Sequence, residues 1–236
     1  MEALVESLMH GISLLAGGSE PIWEIIARSV AVSAVAVGFS TLIGVPVGYT
    51  LGSRRSRSRR SLLALVNTGM ALPPVVAGLL VYVTLSRSGP LGDLGLLFTK
   101  PAMVTAQVLI ATPLVAGITA AAVGGVPAEL RLQVRSLGAT RLQEAWLVLR
   151  QSRRGVLAGV VAGFGGVISE VGAVMMVGGN IQGSTRVMTT AIVLETRKGE
   201  FGTALALGLV LVGIAAVVNA LLTVLQHGGA RYERQA

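Results

Sequence analysis

Four stretches of this chain contain no Asp, Glu, Lys or Arg: Ser29–Ser53, Ser61–Ser86, Pro101–Ala128 and Phe201–Ala230. A fifth, Gly155–Thr185, is interrupted only by Glu170. Each exceeds the roughly 20 helical residues that cross the hydrocarbon core of a bilayer. Within that core every backbone donor and acceptor must be satisfied by the protein itself, which favours helices. The expected fold class is therefore all-α integral membrane, with about five transmembrane helices near 22–50, 62–86, 101–124, 155–179 and 202–226. Residues 1–20 place Leu4, Leu8, Ile12 and Leu15 near helical spacing and are expected to form an interfacial amphipathic segment. They carry Glu2, Glu6 and Glu20 but no Lys or Arg, so they lack the basic region of a signal peptide. The expected organisation is thus an N-terminal segment 1–20, a transmembrane domain 21–228 with a long loop at 125–154, and a short tail 229–236.

The sparse charges are distributed unevenly. Only 13% of residues are charged, about half the share in a soluble domain, yet the formal net charge is +8. Arg54, Arg55, Arg57, Arg59 and Arg60 crowd into residues 51–61, and Arg131, Arg135, Arg141, Arg150, Arg153 and Arg154 into the 125–154 loop, with Arg231 and Arg234 in the tail. Basic residues flanking spans stay on the cytoplasmic side, so these segments are expected inside and the N-terminus outside. An odd number of spans meets that requirement. The arginines are then an orientation signal resting on anionic membrane lipid, which outweighs a nucleic-acid surface.

Composition also narrows the chemistry. With no Cys and only His10 and His227, a thiolate site, a metal cluster or a His-based triad is not expected. Lys100 and Lys198 follow Thr99 and Arg197, so neither completes the Gly-Lys-Ser/Thr end of a nucleotide-binding P-loop.

Within the spans, Gly44, Gly48 and Gly52, and again Gly155, Gly159 and Gly163, lie four residues apart on one helix face. Such seams let helix backbones approach closely, either within one chain or against a second copy. Pro73-Pro74 falls near the middle of the second stretch and must break its hydrogen-bond ladder. Glu170, deep in the fourth, is costly there unless paired, hydrated or protonated, and reads as a gate, a packing lock or a substrate contact. The polar run Gly178–Arg186 leads into Val187–Leu194, which is too short to span and reads as half-inserted. Asn180, Thr185 and Arg186 there suit an oxyanion in transit, or else an outside loop touching a soluble partner.

The 125–154 loop is regular. Pro127-Ala-Glu129 opens a helix, Gly138 stops it, and Ala139–Leu149 reads as a second helix carrying Leu142, Trp146 and Leu147 among arginines. Apolar and aromatic residues on an Arg-rich loop suit docking on another protein.

Ser136-Leu-Gly-Ala-Thr140 resembles the cytoplasmic coupling loop of ATP-binding-cassette (ABC) importer permeases, the binding-protein-dependent inner-membrane components. Ala71-Leu-Pro-Pro-Val-Val-Ala-Gly78 resembles the Leu-Pro-Pro-Val-Val stretch of the molybdate-type oxyanion permeases, Ser169-Glu-Val-Gly-Ala173 their Gly-Glu-Phe-Gly-Ala, and Gly179–Arg186 their Asn-Ile-Pro-Gly-Glu-Thr-Arg. The run Arg186–Phe201 is similar to the tungstate branch. Leu132-Gln-Val134 and Arg150-Gln151 depart from the usual Glu-Ala-Ala and Leu-Pro. The resemblance implies the type I ABC importer transmembrane fold and a homodimer in the cell membrane. It also implies cytoplasmic ATPase subunits that carry ATP and Mg, an extracytoplasmic oxyanion-binding protein, and no cofactor, metal or catalytic residue on this chain. It assigns pathway or gate positions to Pro73, Pro74, Glu170, Asn180, Thr185 and Arg186, and ATPase coupling to Gly138, Ala139, Thr140, Arg141, Glu144 and Trp146. The competing expectations are a stand-alone secondary anion transporter or channel, for which Glu170 is the one intramembrane carboxylate, and an intramembrane enzyme, for which no Ser–His or Asp–Asp dyad is present.

Overall fold

A computed structural model describes residues 20–53 and 57–227, together with Met9 and Ser13. The 1–20 segment, apart from Met9, Ser13 and Glu20, and the 229–236 tail lie outside the described residues. The order is α1 (Glu20–Ser53), α2 (Arg57–Met70), α3 (Pro74–Leu85), a 3-10 turn at Gly92–Leu94, α4 (Lys100–Gly124), α5 (Ala128–Ser136), α6 (Arg141–Gln151), α7 (Arg153–Ile168), α8 (Gly172–Gly178), α9 (Met188–Lys198) and α10 (Phe201–His227). No strand occurs among the described residues.

Helices α1, α4 and α10 are long and apolar enough to cross a membrane unbroken, and the pairs α2 with α3 and α7 with α8 qualify as two further spans that are bent at a short break. The expectation of five spans is met in this form. The second span breaks where Pro73-Pro74 demands it: α2 ends at Met70, and Pro74 opens α3, where a missing N–H and a fixed φ suit the first turn. Residues Arg57 to Arg60, expected in a loop, instead form the first turn of α2. Arginine is a good helix former, and the Arg59 Nε–H donates to the Leu51 carbonyl at 2.7 Å, capping the last turn of α1.

The chain divides into two compact units, one built from Met1–Ala36, Pro73–Leu109 and Gly165–Val217, the other from Val37–Leu72, Ile110–Phe164 and Val218–Ala236. Within the second unit α4 takes both glycine seams. A Cβ on Gly48 would sit 2.6 Å from the Ala116 carbonyl oxygen and Thr119 Cβ, and one on Gly52 2.7 Å from the Ala120 oxygen and Val123 Cβ. On α7, Gly159 lies against Ile118 and Gly163 against Val115. The seams that sequence alone left open between intrachain and intermolecular packing are therefore intrachain. The large apolar side chains Leu42, Ile43, Val47, Leu62 and Leu65 are exposed. This inversion, small residues inside and large ones outside, fits a protein whose surroundings are lipid.

Within the first unit, α3 and α8 meet backbone to backbone, since a Cβ on Gly78 would lie 2.6 Å from Ala173 Cα. A Cβ on Gly172 would lie 2.6 Å from the Val75 side chain at Cγ2. The start of α3, just after Pro73-Pro74, therefore lies against the start of α8, just after Glu170.

Candidate functional site

Breaking a helix within a membrane exposes carbonyls, and their partners define the site in the first unit. At the break between α7 and α8, Ser169 Oγ donates to the Gly165 carbonyl at 2.9 Å. Gln107 Nε2, on α4, donates to the Val167 carbonyl at 3.1 Å. Thr189 Oγ1, on α9, donates to the Glu170 carbonyl at 3.0 Å. The Glu170 carboxylate itself accepts from the Ala173 N–H at 3.1 Å, satisfying one of the free donors that begin α8. Glu170 is half-buried rather than deep in a continuous span. The carboxylate thereby holds the start of α8 against the break, with favourable charge at a helix N-terminus.

After α8 the chain turns through Gly179 and Asn180, both with left-handed backbone, at φ +69° and +51°. Asparagine tolerates this conformation better than most side chains because it can hydrogen-bond locally. Phe98 braces the same end: its N–H donates to the Val177 carbonyl at 2.9 Å, and its ring meets Tyr82 edge-on at 6.3 Å.

The 178–186 loop closes on Thr185, which is fully buried. Its Oγ1 accepts from the Ile181 N–H at 3.0 Å and donates to the Gly178 carbonyl. Thr185, expected to meet an anion, has its one hydroxyl proton committed to the loop's own backbone. Arg186 and Asn180 differ. Arg186 Nε and Asn180 Oδ1 are buried without a hydrogen-bond partner. A buried guanidinium N–H lacking an acceptor costs desolvation free energy until an oxygen reaches it, and turning the Asn180 amide would exchange its oxygen for N–H donors.

Arg28, which no sequence motif marks, reaches this loop from α1. Its Nη1 donates to the Arg186 carbonyl at 2.9 Å and its Nη2 to the Gly183 carbonyl at 3.2 Å. Gln107 and Thr189 were also missed. The available signal was an amide and a threonine within otherwise apolar helical stretches, where polar side chains need partners.

The 125–154 loop, in the second unit, forms the expected helix–Gly–helix. Gly138 has φ +81°, the Gly138 N–H donates to the Arg135 carbonyl at 3.0 Å and the Ala139 N–H to the Val134 carbonyl at 3.2 Å. This left-handed stop is one that glycine adopts without steric cost. Thr140 and Gln143 cap α6 reciprocally, as a capping box, at 3.3 and 2.8 Å. Arg131 donates to the Ser53 and Val123 carbonyls at 3.2 and 2.7 Å, tying α5 to the ends of α1 and α4. Beneath α6, Val148 packs with Val123 and Val126.

Glu144 departs from the expected coupling surface. It is only 5% exposed and takes a forked pair of hydrogen bonds from Arg135, at 2.7 and 3.0 Å, which braces α6 on α5. Its hydrogen bond and charge hold the Arg135 guanidinium above its usual pKa. The exposed large apolar side chains here include Leu132 at 63%, Leu137 at 87%, Leu142 at 81% and Trp146 at 61%, with the Arg150 guanidinium 5.1 Å from the Trp146 ring centroid.

Residues 44–228 match the family described as binding-protein-dependent transport system inner membrane component. The chain belongs to this family. It is 42% identical over 203 residues to a probable anion ABC transporter permease protein of Haloferax volcanii, covering 84% of this chain and 88% of that one. It is 38% identical over 227 residues to a tungstate uptake system permease protein of Peptoclostridium acidaminophilum, covering 96% of this chain and 100% of the relative. A chain from the crystal structure of an amino acid ABC transporter with histidines superposes with a TM-score of 0.65 at 15% identity, covering 94% of this chain and 97% of that one. The fold is that of type I ABC importer transmembrane subunits. As a member of this permease family, the chain is a multi-pass protein of the cell membrane.

Proposed function

We propose that this permease is the membrane-spanning subunit of an ABC importer that carries a tetrahedral oxyanion, tungstate or molybdate, into the cytoplasm by alternating access. The single observation that carries the reading is the 38% identity to a tungstate uptake permease along the whole of that protein. The subunit binds no cofactor and hydrolyses no ATP. A homodimer of it forms the pathway, two cytoplasmic ATPase subunits supply ATP and Mg, and an extracytoplasmic oxyanion-binding protein delivers the substrate.

The Arg-rich ends and the 125–154 loop face the cytoplasm, as their basic excess favours. There Gly138, Ala139, Thr140, Arg141 and Trp146, joined by the exposed Leu137 and Leu142, form the surface on which the ATPase docks, while Glu144 stiffens it from within. The breaks at Pro73-Pro74 and Glu170, held against each other through Val75 and Gly172, are the points about which the pathway opens. Arg186, with its unpartnered Nε–H, meets the anion, and Asn180 stands beside it in the same loop.

Arg186→Ala tests the pathway assignment. A charge-assisted hydrogen bond of about 1.5–3 kcal/mol corresponds to a loss of tungstate uptake of about tenfold or more, with membrane insertion unchanged. Uptake equal to the wild type would remove Arg186 from the pathway.

A further inference from the structure

Two consecutive residues of α1 hold the loop that carries Arg186. Arg28 donates to the carbonyls of Gly183 and Arg186. Its neighbour Ser29, buried, accepts the Met188 N–H at 2.8 Å while donating its own proton to the Ile25 carbonyl at 2.7 Å. Met188 is the first residue of α9, and helix-opening N–H groups need an acceptor from outside the helix. Val187, the residue before it, has no side-chain oxygen to offer. Ser29 supplies that acceptor from a different helix, more than 150 residues away in sequence.

The Arg28 side chain is 9% exposed, and Glu24 on the same helix lies 3.5 Å from Nη2. The guanidinium is therefore oriented by one carboxylate and spread over two loop carbonyls. A planar fork suits this division better than an ammonium group, whose donors radiate from one atom.

We infer that Arg28 is a positioning residue which, with Ser29, fastens the 178–186 loop and the start of α9 to the first part of α1, so that helix and loop move as one piece. Any displacement of α1 then carries Arg186 with it. The inference deepens the reading of Arg186 as an anion contact and rests on it for its transport consequence, although the mechanical link stands apart from any substrate.

The test uses the full-length permease, whose lack of cysteine lets a single Ile181→Cys substitution accept one nitroxide label on an exposed loop position. Electron paramagnetic resonance of the unliganded protein in lipid nanodiscs should show a restrained label with native Arg28 and Ser29. Arg28→Gln and Ser29→Ala should each mobilise it, and Arg28→Lys, which keeps charge and one donor centre, should restore part of the restraint. In transport assays of the unlabelled chain assembled with its ATPase and the oxyanion-binding protein, Arg28→Lys should raise the KM for tungstate about tenfold, as expected for loss of a charged hydrogen bond, with the maximal rate within about twofold. A label equally restrained in Arg28→Gln and in the native background would overturn the inference, as would equal mobility in the Lys and Gln variants. Absence of tungstate transport by the unaltered permease assembled with its ATPase and the oxyanion-binding protein would instead contradict the proposed function and leave the label result standing.

Discussion

Thr185 and Arg186 are adjacent, polar and part of one motif, yet the structure gives them different work. A hydroxyl has one proton, and that of Thr185 goes to the Gly178 carbonyl. Thr185→Ser should therefore preserve the loop. Thr185→Ala leaves a buried carbonyl and a part-buried N–H unpaired and should lower unfolding stability by about 1–3 kcal/mol, read as a fall in thermal midpoint in detergent. Glu170 poses the same kind of question. If its carboxylate serves as an acceptor for the Ala173 N–H, Glu170→Gln keeps that acceptor and should stay within about 0.5 kcal/mol of the native protein, while Glu170→Ala should lose about 1 kcal/mol, as a lost helix cap does. Equal losses in Gln and Ala would show that charge, rather than the acceptor, is what matters. Sequence marks such residues as unusual because polar groups are rare at membrane depth. It does not say which way they turn: Thr185 is committed inward by backbone groups at positions 178 and 181, and that closure exists only once the loop has formed.

At the scale of elements, the spacing of small residues was the most legible feature. Glycines four apart mark a face along a helix, and both marked faces lie on α4. Gly48→Leu would drive its side chain into the Ala116 carbonyl and Thr119. Overpacking of this kind costs about 1–3 kcal/mol or more, visible as reduced yield of folded protein and a lower thermal midpoint. The break at Pro73-Pro74 was legible for an equally local reason, the absence of two backbone donors. The helix–Gly–helix of the 125–154 loop was legible too, but its brace was not: Arg135 and Glu144 belong to different helices and pair only when Gly138 reverses the chain. A Cβ at Gly138 meets nothing within 4 Å, so Gly138→Ala tests backbone conformation alone. It should destabilise the loop by about 1 kcal/mol and weaken ATPase docking in a pull-down without altering helix content. The contacts that fix the candidate site were the least visible in sequence. Arg28 with Arg186, Ser29 with Met188 and Gln107 with Val167 join distant parts of the chain, and no local periodicity marks them.

For the whole molecule, low charge and a +8 excess are reconciled by membrane placement: long apolar helices suit lipid, and thirteen arginines are concentrated in residues 51–61, the 125–154 loop and the tail. Several of those arginines have structural duties as well, Arg59 and Arg131 capping helix ends and Arg135 bracing the loop. Under the proposed function, a chain without a nucleotide-binding motif presents exposed Trp146, Leu142 and Leu137 because transport energy enters through contact with another subunit. The most direct measurement is tungstate accumulation in proteoliposomes containing the permease, its ATPase and the oxyanion-binding protein. Accumulation that requires ATP and all three components is the expected result. Accumulation by the permease alone, driven by an ion gradient and indifferent to ATP, would contradict the account.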